Sequence, residues 1–425
     1  MIRLRRPTLD ESNRLFTAAV IGGGAVAGSI ISVIFAGALF AGVARLYQGK
    51  ITLPTDRSVR WIGAAFVFYF LAEALSTFVN YTAPKSLVEG VVENIPFLAF
   101  LMIYGRLSLT RREDVLSSIE AGVIVGSFGA LVYALVETLL LDRARAEGMA
   151  GNSGPFALVC SVLYGFAVVT AIRRRDRTGA LAALAALAAA AALLLSGMRG
   201  TWPILVIAPL IPLAMFRINL SRRGALKAIA ALFVPVVLLV AVSYGTVETR
   251  ILRLAEEYKY VDGGDYDNSM GQRVLVWRAA LTLIAERPVF GHGPAEAHGL
   301  MSKRAAAGEE LRFAYTHAHN QFLNAWMRSG LFGLAATLAL LVLPPWIAFR
   351  RPRDELGRTG QGLLLVISSS YFLAGLSNVC LGHDIMDTLY IYGVIATSYV
   401  VFGSSSRISW ETTAAPKLAA SSTSP

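Results

Sequence analysis

The chain has 425 residues, of which 55% are hydrophobic and 16% charged, with mean hydropathy +0.56. That is too little charge for a soluble globular domain, where about a quarter of residues are charged. A net charge of +11 would suit a nucleic-acid binder, but most basic residues lie in short links between apolar runs, where they set topology, so nucleic acid is not an expected partner. Cys160 and Cys380 are too few for a disulfide framework.

Arg3, Arg5 and Arg6 precede an apolar stretch much longer than the roughly 7–15 residues of a cleaved signal. A retained membrane anchor is expected. Apolar runs follow at 15–46, 61–80, 87–105, 115–141, 155–172, 180–197, 201–216, 225–244, 319–349, 361–381 and 386–403. A helix of about 20 apolar residues crosses a bilayer core. The first run is too long for one crossing. Gly22, Gly23, Gly24 and Gly28 permit a break there, and two short spans in a hairpin bring the count to about twelve.

With both termini cytoplasmic, every basic link (45–60, 106–112, 173–177, 217–227 and 350–358) then faces the cytoplasm. The links 80–86, 142–155, 196–200 and 382–387, which carry few basic residues, face outward. The expected architecture is an all-α, polytopic integral membrane protein. An N-terminal transmembrane bundle of about eight spans occupies 1–244, and a partly helical periplasmic loop domain 245–318. C-terminal transmembrane helices fill 319–403, and a Ser/Thr/Ala-rich disordered cytoplasmic tail 404–425.

The long polar segment has helical apolar spacing from Val274 to Ile284. Asp262-Gly-Gly-Asp265-Tyr-Asp267 reads as a turn and lacks the spacing and terminal glutamate of an EF-hand. In Ser196-Gly-Met-Arg199-Gly-Thr201, between two apolar runs, Arg199 either snorkels to headgroups or grips a buried anion with its forked guanidinium. The same two readings, solvated or anion-binding, apply to Arg273 in Gly271-Gln-Arg273-Val-Leu-Val-Trp277. Arg278 and Arg287 rank below it. Gly291-His292-Gly293 reads as a tight turn in which glycine permits positive φ.

His317 and His319 stand where the polar segment meets the next apolar run. An imidazole there can exchange a proton near neutral pH, although a purely structural boundary histidine is the competing reading. Two residues apart, they cannot form the i, i+4 zinc pair of a helix. No cysteine or carboxylate set accompanies them, so no metal is expected. His292, His298 and His383 lack comparable context. The stretch from Asn320 to Gly333 reads as the start of a helix, with Gly330 and Gly333 allowing close approach to a neighbour.

His319-Asn320, nine residues, then Gly330-x-x-Gly333 resembles the signature of the bacterial O-antigen ligase family. Ser-Gly-x-Arg199-Gly, Arg273-x3-Trp277 and Pro288-x-x-Gly291-x-Gly293 resemble motifs of the superfamily, which also holds O-antigen polymerases. The resemblance implies an inner-membrane glycosyltransferase of lipopolysaccharide biosynthesis, without metal or cofactor, acting at the periplasmic face. Its donor would be a glycan on undecaprenyl diphosphate, and its acceptor a sugar hydroxyl of the lipid A–core oligosaccharide. Membrane lipids surround both, and transfer inverts the anomeric centre. By the same resemblance His319 is the general base, and Arg199 and Arg273 bind the diphosphate. His317, Asn320, Trp277, Gly330 and Gly333 support them. The alternatives are an O-antigen polymerase, a protein O-oligosaccharyltransferase, or a small-anion transporter using Glu73, Glu93 and Glu137, which lie in or near apolar runs.

Overall fold

The computed structural model describes residues 8–216, 269–307, 315–351 and 354–404. The expected span 225–244, the turn 262–267 and the tail after 404 lie outside these residues. Every regular element among the described residues is helical. In chain order they are α1 (Leu9–Gly23), α2 (Ile30–Tyr47), α3 (Arg57–Val79), α4 (Pro84–Leu107), α5 (Arg112–Leu140), α6 (Ser153–Arg173) and α7 (Arg177–Leu195). Then come α8 (Arg199–Met215), α9 (Ser269–Glu286), α10 (Pro294–Ala307), α11 (Gln321–Ala348), α12 (Glu355–Gly375) and α13 (Asp384–Phe402). Eight of them (α2 to α7, α11 and α13) are long and apolar enough to cross a membrane. The chain is an all-α polytopic membrane protein. The first apolar run is split into α1 and α2, with the break at 24–29.

Short polar side chains start the helices. Thr8 and Glu11 form a reciprocal capping box on α1, and Asp56, Asn152, Asp176 and Asp354 accept first-turn N–H groups of α3, α6, α7 and α12. Each satisfies donors that a helix start leaves bare. Glycines bring α1 and α5 into backbone contact: a methyl at Gly22, Gly122 or Gly126 would strike the carbonyl of the opposite helix. The most enclosed helices are α6 and α13, with Phe156, Tyr164, Phe166, Tyr390, Tyr392 and Tyr399 in the main core.

Among the described residues, the basic links gather at one end of the bundle. Asn13 near the start of α1 donates to Arg106 O at the end of α4 (3.0 Å), Arg112 pairs with Asp354 (2.9 Å), and Arg351 pairs with Asp56. Glu120, 2% exposed, accepts from both Arg173 and Arg174. At the opposite end the 24–29 turn meets the 142–151 link through Met149 N to Ala25 O (3.1 Å). Buried Glu137 secures that link by accepting from Arg143 Nη1, Glu147 N and Gly148 N, each at 2.8 Å.

A second, smaller core stands at this second end. Val276, Ala280, Leu283 and Ile284 of α9 pack with Ala297 and Met301 of α10, Ala318, and Met327 of α11. The arrangement ties the polar segment to the first turns of α11, and so to the 315–320 stretch.

Candidate functional site

The 315–320 stretch is not helical. His319 lies at φ 47°, a left-handed conformation unusual for a side-chain-bearing residue. Asn320 then starts α11: its Oδ1 accepts from Phe322 N (3.0 Å) and Leu323 N (3.1 Å), while Nδ2 donates to Leu376 O (3.2 Å). Gln321 Oε1 accepts from Cys380 N and Leu381 N, both at 3.0 Å. Asp387 accepts from Gly382 N (3.0 Å) and thereby holds the far end of the same link. These bonds stitch the α12–α13 link to the start of α11 and place Asn378 beside His319, with which it shares a side-chain hydrogen bond.

The imidazoles of His317 and His319 have ring centroids 4.3 Å apart, and Tyr315 meets His319 edge-on at 5.4 Å. Burial pushes the His319 pKa down to about 4. The charges of His317 and Arg273 act in the same direction, and the bond to Asn378 opposes them. Burial also lowers His317. At neutral pH His319 is therefore a neutral imidazole with an acceptor nitrogen. Burial raises the Tyr315 phenol, with Arg273 pulling the other way.

Arg273 sits in the first turns of α9, not in a loop, and acts electrostatically on both His319 and Tyr315. Trp277 follows one turn later, packed against the second core with its indole nitrogen buried and without a hydrogen-bond partner. Arg199 opens α8, half-buried, after Gly197 at φ 66°. A methyl on the adjacent Gly200 would collide with Ser377 Oγ, so the Arg199 turn rests on the link that holds Asn378. The Arg199 turn and the His319 stretch thus both rest on the 376–378 stretch, and Arg273 of α9 is within electrostatic reach of His319.

Gly330 differs from expectation. It does not face a neighbour from within a continuous helix: Ser329 and Gly330 leave helical geometry, Gly330 at φ 64°, and α11 is broken there. The 288–293 turn, with Gly291 at φ 68° and Gly293 at φ 89°, fits into the break. His292 N donates to Met327 O (3.0 Å), Gly293 N to Arg328 O (2.9 Å) and Leu331 N to Pro288 O (2.9 Å). A methyl on Gly330 would strike Val289 O, and one on Gly291 would strike Arg328 O. Gly333 faces Ala325 and Ser329 of its own helix. Arg287 is bonded to Asn80 Oδ1. Among the described residues no three His, Cys, Asp or Glu side chains gather where they would hold a metal.

Several contributing residues escaped the sequence reading. Asn378 and Gln321 carry no motif of their own. Arg328, 9% exposed, pairs with Glu73 of α3 at 3.2 Å. A charged residue so close to the two glycines was the available signal for that pair.

Residues 184–338 match the family model described as O-Antigen ligase. The resemblance is borne out. The O-antigen ligase match runs from α7 into α11 and includes Arg199, Arg273 and His319. A protein of Haemophilus influenzae described as uncharacterized is 23% identical over 289 residues, which is 66% of this chain and 70% of that protein. With the helical architecture, the family match supports a membrane enzyme of the ligase and polymerase superfamily.

Proposed function

We propose that the protein is an O-antigen ligase-like glycosyltransferase. It moves a glycan from undecaprenyl diphosphate to a sugar hydroxyl of the lipid A–core oligosaccharide, at the periplasmic face of a bacterial inner membrane. The observation that supports this reading is that the Arg199 turn and the His319 stretch rest on one link, with Arg273 within electrostatic reach of His319. Both substrates are lipid-anchored, so a site at the edge of the bilayer meets each without extracting it.

In this reading the acceptor hydroxyl oxygen attacks the anomeric carbon. The bond from that carbon to the diphosphate oxygen breaks with inversion, and the proton passes to His319. General-base help of this kind contributes about 10²–10⁴-fold. Arg199 and Arg273 offset the charge of the departing polyprenyl diphosphate, and their forked donors suit its oxygens. No step calls for a metal.

The test is transfer of a lipid-linked glycan to lipid A–core in membranes containing the protein. His319→Ala is expected to lower kcat by about 10²–10⁴-fold; unaltered turnover removes His319 from the chemistry. Arg199→Lys and Arg273→Lys are expected to impair transfer, since a point charge does not reproduce the bidentate fork. A longer polyprenyl-linked product would assign the polymerase reaction instead, and a glycoprotein product the protein O-oligosaccharyltransferase. For the transporter reading, Glu73 is engaged with Arg328 and Glu93 is exposed, while Glu137 holds a link at the bundle end.

A further inference from the structure

At the end where the basic links gather, carboxylates answer several arginines: Asp354 pairs with Arg112, Glu120 with Arg173 and Arg174, and Asp56 with Arg351. Arg106, at the end of α4 and only 5% exposed, has no such partner among the described residues. Its Nε donates to Asn13 Oδ1 (2.7 Å) and its Nη2 to Ser12 Oγ (3.2 Å), and its guanidinium lies 5.1 Å from the centre of the Phe16 ring. All three partners are neutral and stand on α1. The remaining nitrogen, Nη1, donates to none of the described residues and is not wholly enclosed. Arg45 comes from α2, which packs on the second half of α4. A methyl on Gly42 would come within 3.2 Å of Met102 Cγ. Arg45 follows Gly42 by three residues and Arg106 follows Met102 by four, spacings that keep side chains on one helix face. The two cations accordingly lie within electrostatic reach of each other. Arg45 is half-buried, and its Nη1 is enclosed without a hydrogen bond.

We infer that Arg45 and Arg106 form a phosphate-binding site at the junction of α1, α2 and α4, and that it takes the headgroup of an anionic phospholipid. Like charges held near each other repel, and a buried cation without a counter-charge is costly. A phosphate between the two guanidinium groups relieves both. Its oxygens suit the forked donors of arginine, and Arg106 Nη1 and the open side of Arg45 have donors to give. The surroundings favour a lipid as the source of that phosphate. α2 is the least enclosed of the eight candidate spans, and Phe40, Val43, Leu46 and Tyr47 around Arg45 are exposed. In a bilayer this apolar surface accommodates acyl chains, and the end of the span lies at headgroup depth, where anionic lipids attract basic residues. The site is separate from His319 and does not depend on the glycosyl-transfer reading.

The experiment uses the full-length protein, delipidated in detergent and titrated with phosphatidylglycerol, phosphatidylcholine or inorganic phosphate, with bound ligand counted by native mass spectrometry. The wild type is expected to bind phosphatidylglycerol about tenfold more tightly than phosphatidylcholine. Arg45→Gln and Arg106→Lys should each weaken phosphatidylglycerol binding by about tenfold. Arg175→Gln, which removes an exposed charge from the α6–α7 link at the same end, should leave it unchanged. Equal affinity for the two lipids overturns the inference. So does unaltered binding by Arg45→Gln, or an equal loss in Arg175→Gln, which would mean attraction to the whole basic end. Displacement of phosphatidylglycerol by inorganic phosphate at equal concentration overturns the lipid assignment and gives the site to a soluble anion. If Arg106→Lys fails to fold, Arg45→Gln decides, because the Arg45 side chain ties no other element in place.

Discussion

At φ 47° the His319 backbone is in the left-handed region, which costs an ordinary side chain roughly 1–2 kcal/mol. The bonds that hold it there come from its neighbours, above all Asn320. Asn320→Ala removes the cap of α11 and the tie to Leu376 together. A loss of about 1 kcal/mol in stability is expected, read as a lower melting temperature in detergent, with transfer falling further than the stability change alone requires. The protonation of His319 gives a second test. Its folded pKa, about 4, lies below the usual value near 6.5, so the competent neutral form is retained as pH falls until about 4. Because the folded state binds this proton more weakly than the unfolded chain, the associated stability is complete above about pH 6.5 and declines as pH falls toward 4. His317, Arg273 and Tyr315 are the ionisable groups facing it. A bound diphosphate favours the imidazolium and raises the pKa. The acid limb of kcat/KM, which reports the free enzyme, is therefore expected near pH 4, and that of kcat at higher pH. A kcat/KM limb near 6.5 contradicts the burial argument. His317 and His319 stood out in the sequence as boundary imidazoles able to take up a proton near neutral pH, and only the family resemblance singled out His319. Asn378 did not stand out, because its role comes only from a link that lies far along the chain.

At the scale of elements, the apolar runs predicted most helices, since a bilayer-length run of uncharged residues has few other uses. The division of the first run followed from its length and from the charges of the links, with the glycines permitting the break. Gly330 and Gly333 were harder. Glycine spacing reports that a Cβ is unwelcome, but not whether the obstacle is a neighbouring helix or a left-handed turn. Here Gly330 marks a break filled by the 288–293 turn. Gly330→Ala is expected to cost more than the roughly 1 kcal/mol of an ordinary strained glycine replacement, because the methyl also meets the Val289 carbonyl. Thermal unfolding in detergent checks it; a melting temperature equal to wild type excludes a rigid fit. Arg328→Ala leaves Glu73 buried without its partner, for which about 3–5 kcal/mol is expected. Replacing both residues by apolar ones of similar volume should recover part of that loss.

Across the whole molecule, the alternation of basic and weakly charged links in the sequence corresponds to two ends of the bundle. One end is closed by paired arginines, and the other carries the His319 stretch and the second core. Sequence charge revealed the grouping because each short link must sit at one end or the other. It did not reveal that the basic residues find carboxylate partners such as Glu120 and Asp354, which come from other helices. Cys160 and Cys380 are buried, so a membrane-impermeant thiol reagent should leave the wild type unlabelled in spheroplasts. Thr82→Cys, exposed at the His319 end, should react there, and Arg175→Cys, exposed at the basic end, only after lysis. The reverse pattern inverts the proposed orientation.

The 288–293 turn mends the gap in α11, lending N–H groups of His292 and Gly293 to the carbonyls of Met327 and Arg328. A splice of this kind has a fixed length. One residue more or fewer between Pro288 and Gly293 would shift those donors off their acceptors, stranding the Met327 carbonyl and leaving that of Arg328 only the Ser76 hydroxyl. Relatives of this chain are thus free to lengthen or shorten at exposed links, while this short run keeps its count.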